Sequence, residues 1–228
     1  MKNLRILSLI GLSSILYNCG GSNTTTETQQ TATDTVKVEA PAAPTLADGT
    51  YAISKDESKV NWKGKKVTGE HYGTIGIEAG SVKLDSGRLS AGEITIDMKT
   101  IAVLDIPADK EENGKLKKHL ESADFFDVAK FPKSTLKLTS VTQGNNSNEY
   151  TAKGLLTIKG IEKEISFPLT IQAVENNVLS AKGTITIDRT LYNVKYGSGK
   201  FFKNLGDKLI DDNFEISFEI KAKLNVQG

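Results

Sequence analysis

Residues able to carry covalent or metal chemistry are few in this 228-residue chain: one cysteine, Cys19, and two histidines, His71 and His119. One thiol and two imidazoles cannot assemble a Cys/His zinc cluster, and one thiol cannot build a disulfide framework. There is no Gly-x-Ser-x-Gly elbow, no phosphate loop and no Gly-x-Gly-x-x-Gly fingerprint. Tyr196-Gly197-Ser198-Gly199-Lys200 is rich in glycine but lacks phosphate-loop spacing, and reads as a flexible turn. Asp207, Asp211 and Asp212 lack the spacing of an EF-hand and read as solvated loop carboxylates. The chain therefore reads as non-catalytic, with no metal and no cofactor. Its charge is nearly balanced, 29 Lys+Arg against 28 Asp+Glu, which argues against a general nucleic-acid binder.

Cys19 owes its interest to its surroundings. Lys2 and Arg5 precede an apolar run from Ile6 to Leu16, too short for a spanning helix of about 20 residues and of the length of a signal-peptide core. The cysteine follows directly, as in a bacterial lipoprotein signal, where it is acylated and becomes the new N-terminus. An ordinary signal peptide with a coincidental thiol is the alternative. Residues 20–48 are Thr-, Gln-, Ala- and Pro-rich and carry too little apolar surface to offset ordering entropy, so they read as a disordered tether. The expected organisation is a signal peptide at 1–18, a lipidated N-terminus and tether at 19–48, and one domain at 49–228. Loss of residues 1–18 leaves 27 basic against 28 acidic side chains, and no acidic run follows Cys19. The expected place is the bacterial cell envelope, on the periplasmic side of the outer membrane.

The elements of the domain are legible from period-two alternation. In 214–226 the even positions Phe214, Ile216, Phe218, Ile220, Ala222 and Leu224 are apolar and the odd ones polar, which defines a strand with one buried face. Ile165–Ala173 and Leu179–Ile187 repeat the pattern, with Phe167, Leu169, Ile171, Ala181, Gly183 and Ile185 facing in. Ile94, Ile96 and Met98 alternate with Glu93, Thr95 and Asp97, and Leu136 and Leu138 begin another such strand. Turn chemistry at Asp85-Ser86-Gly87, Gly144-Asn145-Asn146 and Glu175-Asn176-Asn177 separates the runs. Strands are expected near 51–67, 71–79, 81–85, 88–99, 133–143, 149–159, 162–174 and 178–189, with 213–226 closing the sheet. A short helical insertion falls near 110–128, with Leu116 and Leu120 one turn apart. Long one-faced strands with a single helix to cover them call for closure, so the fold class is all-β, an elongated antiparallel barrel of eight strands. Small inward residues (Ala152, Gly154, Ala173, Ala181, Gly183 and Ala222) either leave volume inside or fit the barrel taper.

Several motifs then fall in a familiar order: Ser58-Lys59-Val60-Asn61-Trp62, Gly69-Glu70-His71-Tyr72-Gly73-Thr74, His119-Leu120-Glu121-Ser122-Ala123-Asp124-Phe125-Phe126-Asp127-Val128, Phe131-Pro132, Gly154-Leu155-Leu156-Thr157-Ile158-Lys159-Gly160 and Leu205-Gly206-Asp207. Over about Thr50 to Leu224 the chain resembles the YceI-like family, lipocalin-shaped polyisoprenoid-binding proteins. One segment departs from the pattern: many members carry Arg followed by Asp-Phe-Gly-Ile, where this chain has Arg189-Thr190-Leu191-Tyr192-Asn193-Val194. The resemblance implies a long apolar channel that binds lipid rather than performs catalysis.

On that implication the channel wall is expected from Ala152, Leu156, Ile158, Phe167, Leu169, Ile171, Ala181, Gly183, Ile185, Phe218 and Ile220. A phosphate or quinone head would need donors at the mouth. The candidates are His71, His119 and Arg189, with Lys63, Lys65, Lys66 and Lys195. The lysine cluster reads better as a solvated outer strand face, and each histidine as a structural bridge between loop backbone groups. Phe125 and Phe126 read as plugs at one barrel end. Expected partners are a polyisoprenoid or other long-chain lipid as the only guest, and the membrane through the N-terminal anchor, with a homodimer as a further candidate assembly and no nucleic acid. The competing reading is a packed envelope lipoprotein without a ligand.

Overall fold

The computed structural model describes residues 46–225 except 147 and 175. The expected signal peptide, Cys19 and nearly all of the tether lie outside the described residues. Nine strands make one antiparallel sheet: β1 (Gly49–Ile53), β2 (Lys59–Lys66), β3 (Gly69–Asp85), β4 (Arg88–Val103), β5 (Lys133–Gln143), β6 (Glu149–Ile158), β7 (Ile161–Val174), β8 (Val178–Asp188) and β9 (Ile210–Leu224). The spatial order is β1-β3-β2-β9-β8-β7-β6-β5-β4, and pairing of β3 with β4 and of β1 with β9 closes the ring. Both β1 and β2 lie between β3 and β9, so they are two halves of one broken strand and the barrel is eight-stranded. The expected unbroken strand at 51–67 is thus interrupted: polar Lys55-Asp56-Glu57 forms a single 3-10 turn. In compensation, the two strands expected at 71–79 and 81–85 are one. At Gly80 a side chain would meet Ile53 Cδ1 at 2.6 Å and the Glu93 carbonyl at 2.9 Å, so the glycine serves a close approach rather than a turn.

The two ends of the barrel differ. At the turn end, where β1 begins, hairpins reverse tightly. Ser86 and Gly87 (φ 53° and 69°) and Asn176 and Asn177 (φ 63° and 56°) take the left-handed backbone that two-residue hairpin turns demand. At the loop end lie the β2–β3 turn, the β6–β7 turn, the long 104–132 connection with helix α1 (Glu111–Glu121), and the 189–209 connection. Acidic Glu111 and Glu112 begin α1, and Lys118 and His119 end it, which suits its macrodipole. Asn113 ties the helix to the end of β4 by donating to the Val103 and Ile106 carbonyls at 3.1 and 2.7 Å.

The main core lines the inside of the barrel, with Tyr51, Val60, Leu84, Phe167, Leu179 and Ile220 among its buried members. A second core of Met98, Ile101, Val103, Leu120, Phe125, Val128 and Val194 seals the loop end under α1. Along β7 the ladder to β6 is continuous, but the ladder to β8 begins only at Leu169–Gly183. Pro168 stands immediately before it and has no N–H to continue the pairing.

Candidate functional site

Alternation sends one side chain in two toward the barrel axis, and the inward set does not fill the space. A cavity of about 250 Å³ runs from Ile53, Leu89 and Leu179 near the turn end to Leu120, Phe126 and Ile210 at the loop end. Its wall is almost wholly apolar. Many inward side chains, such as Leu136, Leu138, Ile216 and Phe218, are only partly buried, although by strand parity they point to the axis of a closed sheet. Their remaining accessible surface faces the hollow. Leu156, Ile158, Phe167, Leu169, Ala181, Ile185, Phe218 and Ile220 line it, as does Arg189.

Three expected wall residues are absent from the lining. Ala152 is fully buried and Ile171 is packed against the main core. At Gly183 the ring of Phe218 covers the position: a side chain there would meet Phe218 Cζ at 2.6 Å and the Pro168 carbonyl at 2.8 Å. This glycine is small to seat an aromatic from the neighbouring strand, not to leave room for a guest. Conversely, Val60, Trp62, Ile75, Ile94, Ile96, Met98 and Ile101 line the cavity and were not named as wall. Their signal was present in the even-numbered parity of Val60, Trp62, Ile94, Ile96 and Met98. Phe125 and Phe126 close the loop end, their rings near each other and that of Phe126 edge-on to Phe214.

The polar lining gathers at the loop end. Between Gly64–Phe214 and Lys66–Ile210 the register of β2 on β9 shifts, so Asp211, Asp212 and Asn213 face a single residue, Lys65. Gly64, Asp211 and Asn213 all line the cavity here, and Asp211 and Asn213 are exposed. Asn213 is therefore a polar residue at this end of the lining that sequence reasoning did not single out.

Arg189 is 4% exposed and serves the protein first. Its Nε donates to the Asp211 carbonyl at 2.9 Å, Nη1 to the Val194 and Tyr196 carbonyls at 3.0 and 2.8 Å, and Nη2 to the Ile210 carbonyl at 3.0 Å. Of five N–H groups, four bind backbone, and the fifth has Asp212 Oδ1 at 3.7 Å from Nη2. Burial pulls the guanidinium below its ordinary pKa, and Asp212, Asp188 and Asp211 oppose that pull. Asp212 is thus no solvated loop carboxylate; its Oδ2 faces Lys200 Nζ at 3.4 Å, and Lys200 also binds Asp188 at 2.7 Å. The Asp188 carboxyl is raised by burial and more than compensated by Lys200 and Thr190, ending below the usual range. The 196–200 segment is likewise a built turn: Ser198 is fully buried, and its carbonyl accepts from both the Phe201 and Phe202 amides. Tyr192, within the departing segment, is buried with its hydroxyl unpartnered among the described residues, and burial pushes its pKa up to about 12.

Neither histidine lines the cavity. His71 Nδ1 lies 2.7 Å from Asp105 Oδ2, and Asp105 Oδ1 accepts from the Tyr72 amide at 3.0 Å, locking the segment after β4 onto β3. Burial raises the Asp105 carboxyl, but His71 and the backbone donors bring it below its ordinary value. His119 stands edge-on between Phe125 and Tyr196, with ring centroids at 4.9 and 4.6 Å, and 3.4 Å from Asp124. The partners of both rings are carboxylates and aromatics, not the loop backbone groups expected. Lys63 pairs with Glu215 at 3.1 Å on the outer wall, Lys65 and Lys66 are exposed, and Lys195 lies over the Phe201 ring at 4.9 Å. Among the described residues no group of three or more His, Cys, Asp or Glu could hold a metal ion.

A closed antiparallel barrel around an apolar hollow defines a lipocalin-like binding scaffold. The chain belongs to the YceI-like family, whose domain matches residues 51–222. It is 32% identical to a UPF0312 protein of Pseudomonas putida over 124 residues, 53% of this chain and 60% of that one. It is 33% identical to protein YceI of Salmonella arizonae over 102 residues, 45% of this chain and 47% of that one. The matches thus span less than two thirds of the length of these relatives. Among solved structures, BcnA of Burkholderia cenocepacia superposes with a TM-score of 0.60 at 22% identity, covering 75% of this chain and 99% of that one. A polyisoprenoid-binding domain from Saccharophagus degradans, implicated in plant cell wall breakdown, gives 0.54 at 13% identity, covering 77% and 98%. Both show the shared fold.

Proposed function

We propose that this protein holds one extended apolar lipid, a polyisoprenoid such as a quinone or prenyl phosphate, inside its barrel, and does so without catalysis. The observation that carries the reading is the hollow: a closed barrel whose inward Ile, Leu and Phe side chains surround about 250 Å³ of apolar space. An engineered apolar cavity of about 150 Å³ already takes up benzene, so a dry hollow of this kind favours an apolar guest over water. Membership in the YceI-like family and the polyisoprenoid-binding description of the Saccharophagus domain support the choice of lipid. A tail burying about 400 Å² at about 25 cal/mol per Å² gains ~10 kcal/mol gross, much of which is offset by ordering the tail. Micromolar affinity is the expected result. Arg189 and Asn213 are lining residues able to donate to a head group, whereas His71 and His119 lie outside the lining. The carrier acts from the cell envelope, tethered through lipidated Cys19 on the periplasmic side of the outer membrane.

The test is to fill the hollow. Leu136→Trp and Ile216→Trp enlarge two half-buried lining residues where open space already exists. The variants should keep the wild-type β spectrum and melting temperature and lose binding of a fluorescent prenyl analogue. Wild-type protein from membranes should release a long-chain lipid on extraction. A wild type that carries no such lipid and binds no analogue defeats the reading in favour of an empty structural barrel.

A further inference from the structure

We infer that the loop end of the barrel docks on an anionic lipid bilayer, with the 189–209 connection and the β2–β3 turn as the elements that enter its surface. Among the described residues, every large hydrophobic side chain that stands exposed lies toward this end. Leu191, Tyr196, Phe201 and Phe202 project from the 189–209 connection at 54, 44, 47 and 49% exposure. Val67 at 61% projects from the neighbouring turn, which is held to the connection by its amide on the Leu209 carbonyl at 3.2 Å. Tyr72 and Leu104 stand on the adjoining segment. Among the described residues the turn end carries no exposed large hydrophobic side chain.

This exposure is built in. Both phenylalanines follow the buried Ser198 and bond their amides to its carbonyl, so a fixed turn holds two adjacent rings in solvent. The Arg189 hub anchors the same connection from below through the Val194 and Tyr196 carbonyls. A soluble domain rarely concentrates such surface without a partner.

Charge selects the partner. Lys65, Lys66, Lys195, Lys203 and Lys208 are exposed among these rings, and none is paired with a carboxylate among the described residues. The exposed acids beside them are Glu70, Asp207 and, across from Lys65 at the start of β9, Asp211, fewer than the lysines. Protein–protein interface cores are depleted in lysine. Aromatic rings flanked by lysines are instead the composition of a membrane interface, where rings sit at head-group depth and the ammonium groups reach anionic lipid. Docking is independent of whether the hollow holds a lipid, and is measured without one.

The test uses the full chain carrying Cys19→Ser, with one environment-sensitive fluorophore on a new cysteine, either Phe202→Cys at the loop end or Ser86→Cys at the turn end. Vesicles of phosphatidylcholine are compared with vesicles containing phosphatidylglycerol. The probe at 202 should shift to the blue and be quenched by bilayer nitroxides on the anionic vesicles, and the effect should weaken as salt screens the lysines. The probe at 86 should show neither response. Leu191→Ser with Phe201→Ser, both exposed, should lower the partition coefficient about tenfold or more through lost apolar burial. A probe at 202 that stays solvated on anionic vesicles overturns the inference. So does insertion at 86, or a probe at 202 that is buried by concentration-dependent self-association without vesicles.

Discussion

At the scale of the residue, Arg189 decides how the rim is read. From sequence it was a cationic donor for a head group, because a guanidinium near a channel mouth suits phosphate. The structure gives four of its five hydrogens to the carbonyls of Val194, Tyr196, Ile210 and Asp211, so its first task is to gather the two ends of the 189–209 connection. Arg189→Met would leave those four carbonyls without their donor and the Asp212 carboxylate with Lys200 alone. It should cost about 3–5 kcal/mol in urea unfolding, the usual range when one member of a buried ionic network is removed. Arg189→Lys should recover little, since an ammonium offers three donors from a point rather than five from a plane. A loss of lipid binding with unchanged stability would return Arg189 to the role of a head-group donor. His71 shows the same limit of sequence reading: its partner Asp105, 34 positions away, became visible only with the chain folded.

At the scale of the element, alternation made most of the strands legible, and glycine and proline made their irregularities illegible. A glycine in an apolar run signals a break, a bulge or a tight approach, and only the neighbouring strand distinguishes them. Gly80 was read as a break and is a close approach, whereas the true interruption at residues 54–58 carries no glycine. Gly73 is the sharpest instance of close approach. A Cβ there would fall onto the Ala102 carbonyl oxygen and within 2.8 Å of Trp62 Cζ2, and the Trp62 indole donates to that same carbonyl at 3.1 Å. Gly73→Ala must therefore move β4 away from β3 or displace the only tryptophan. The expected penalty is about 1–3 kcal/mol or more, accompanied by a red-shifted Trp62 emission. Wild-type stability and emission would show that the strands yield at no cost. Pro168 is the counterpart among prolines: a central proline argues against a strand, yet β7 runs through it because the ladder to β8 starts one residue later.

At the scale of the whole molecule, closure and family membership were legible because long one-faced strands leave few alternatives. The hollow was not, because residue sizes summed along a strand do not reveal how far apart opposite walls stand. The anchoring proposal belongs to this scale as well. Cys19→Ser in the full chain should shift the protein from the membrane fraction toward the soluble one, or arrest its processing. Unchanged mass and unchanged attachment would count against lipidation. One feature of the ring also bears on how it assembles. From β2 to β9 each strand pairs with its successor in the chain, but the ring closes only when β9 meets β2, about 150 residues away, and then β1 beyond it. Loop-closure entropy grows with that separation, and non-local pairing slows folding. The hairpins can thus form early as an open, curled ribbon, and the β2–β9 join completes the structure last. In reverse, that join, beside the displaced register at Lys65, is the expected first point of parting, and its amides should be the first to lose protection from hydrogen exchange.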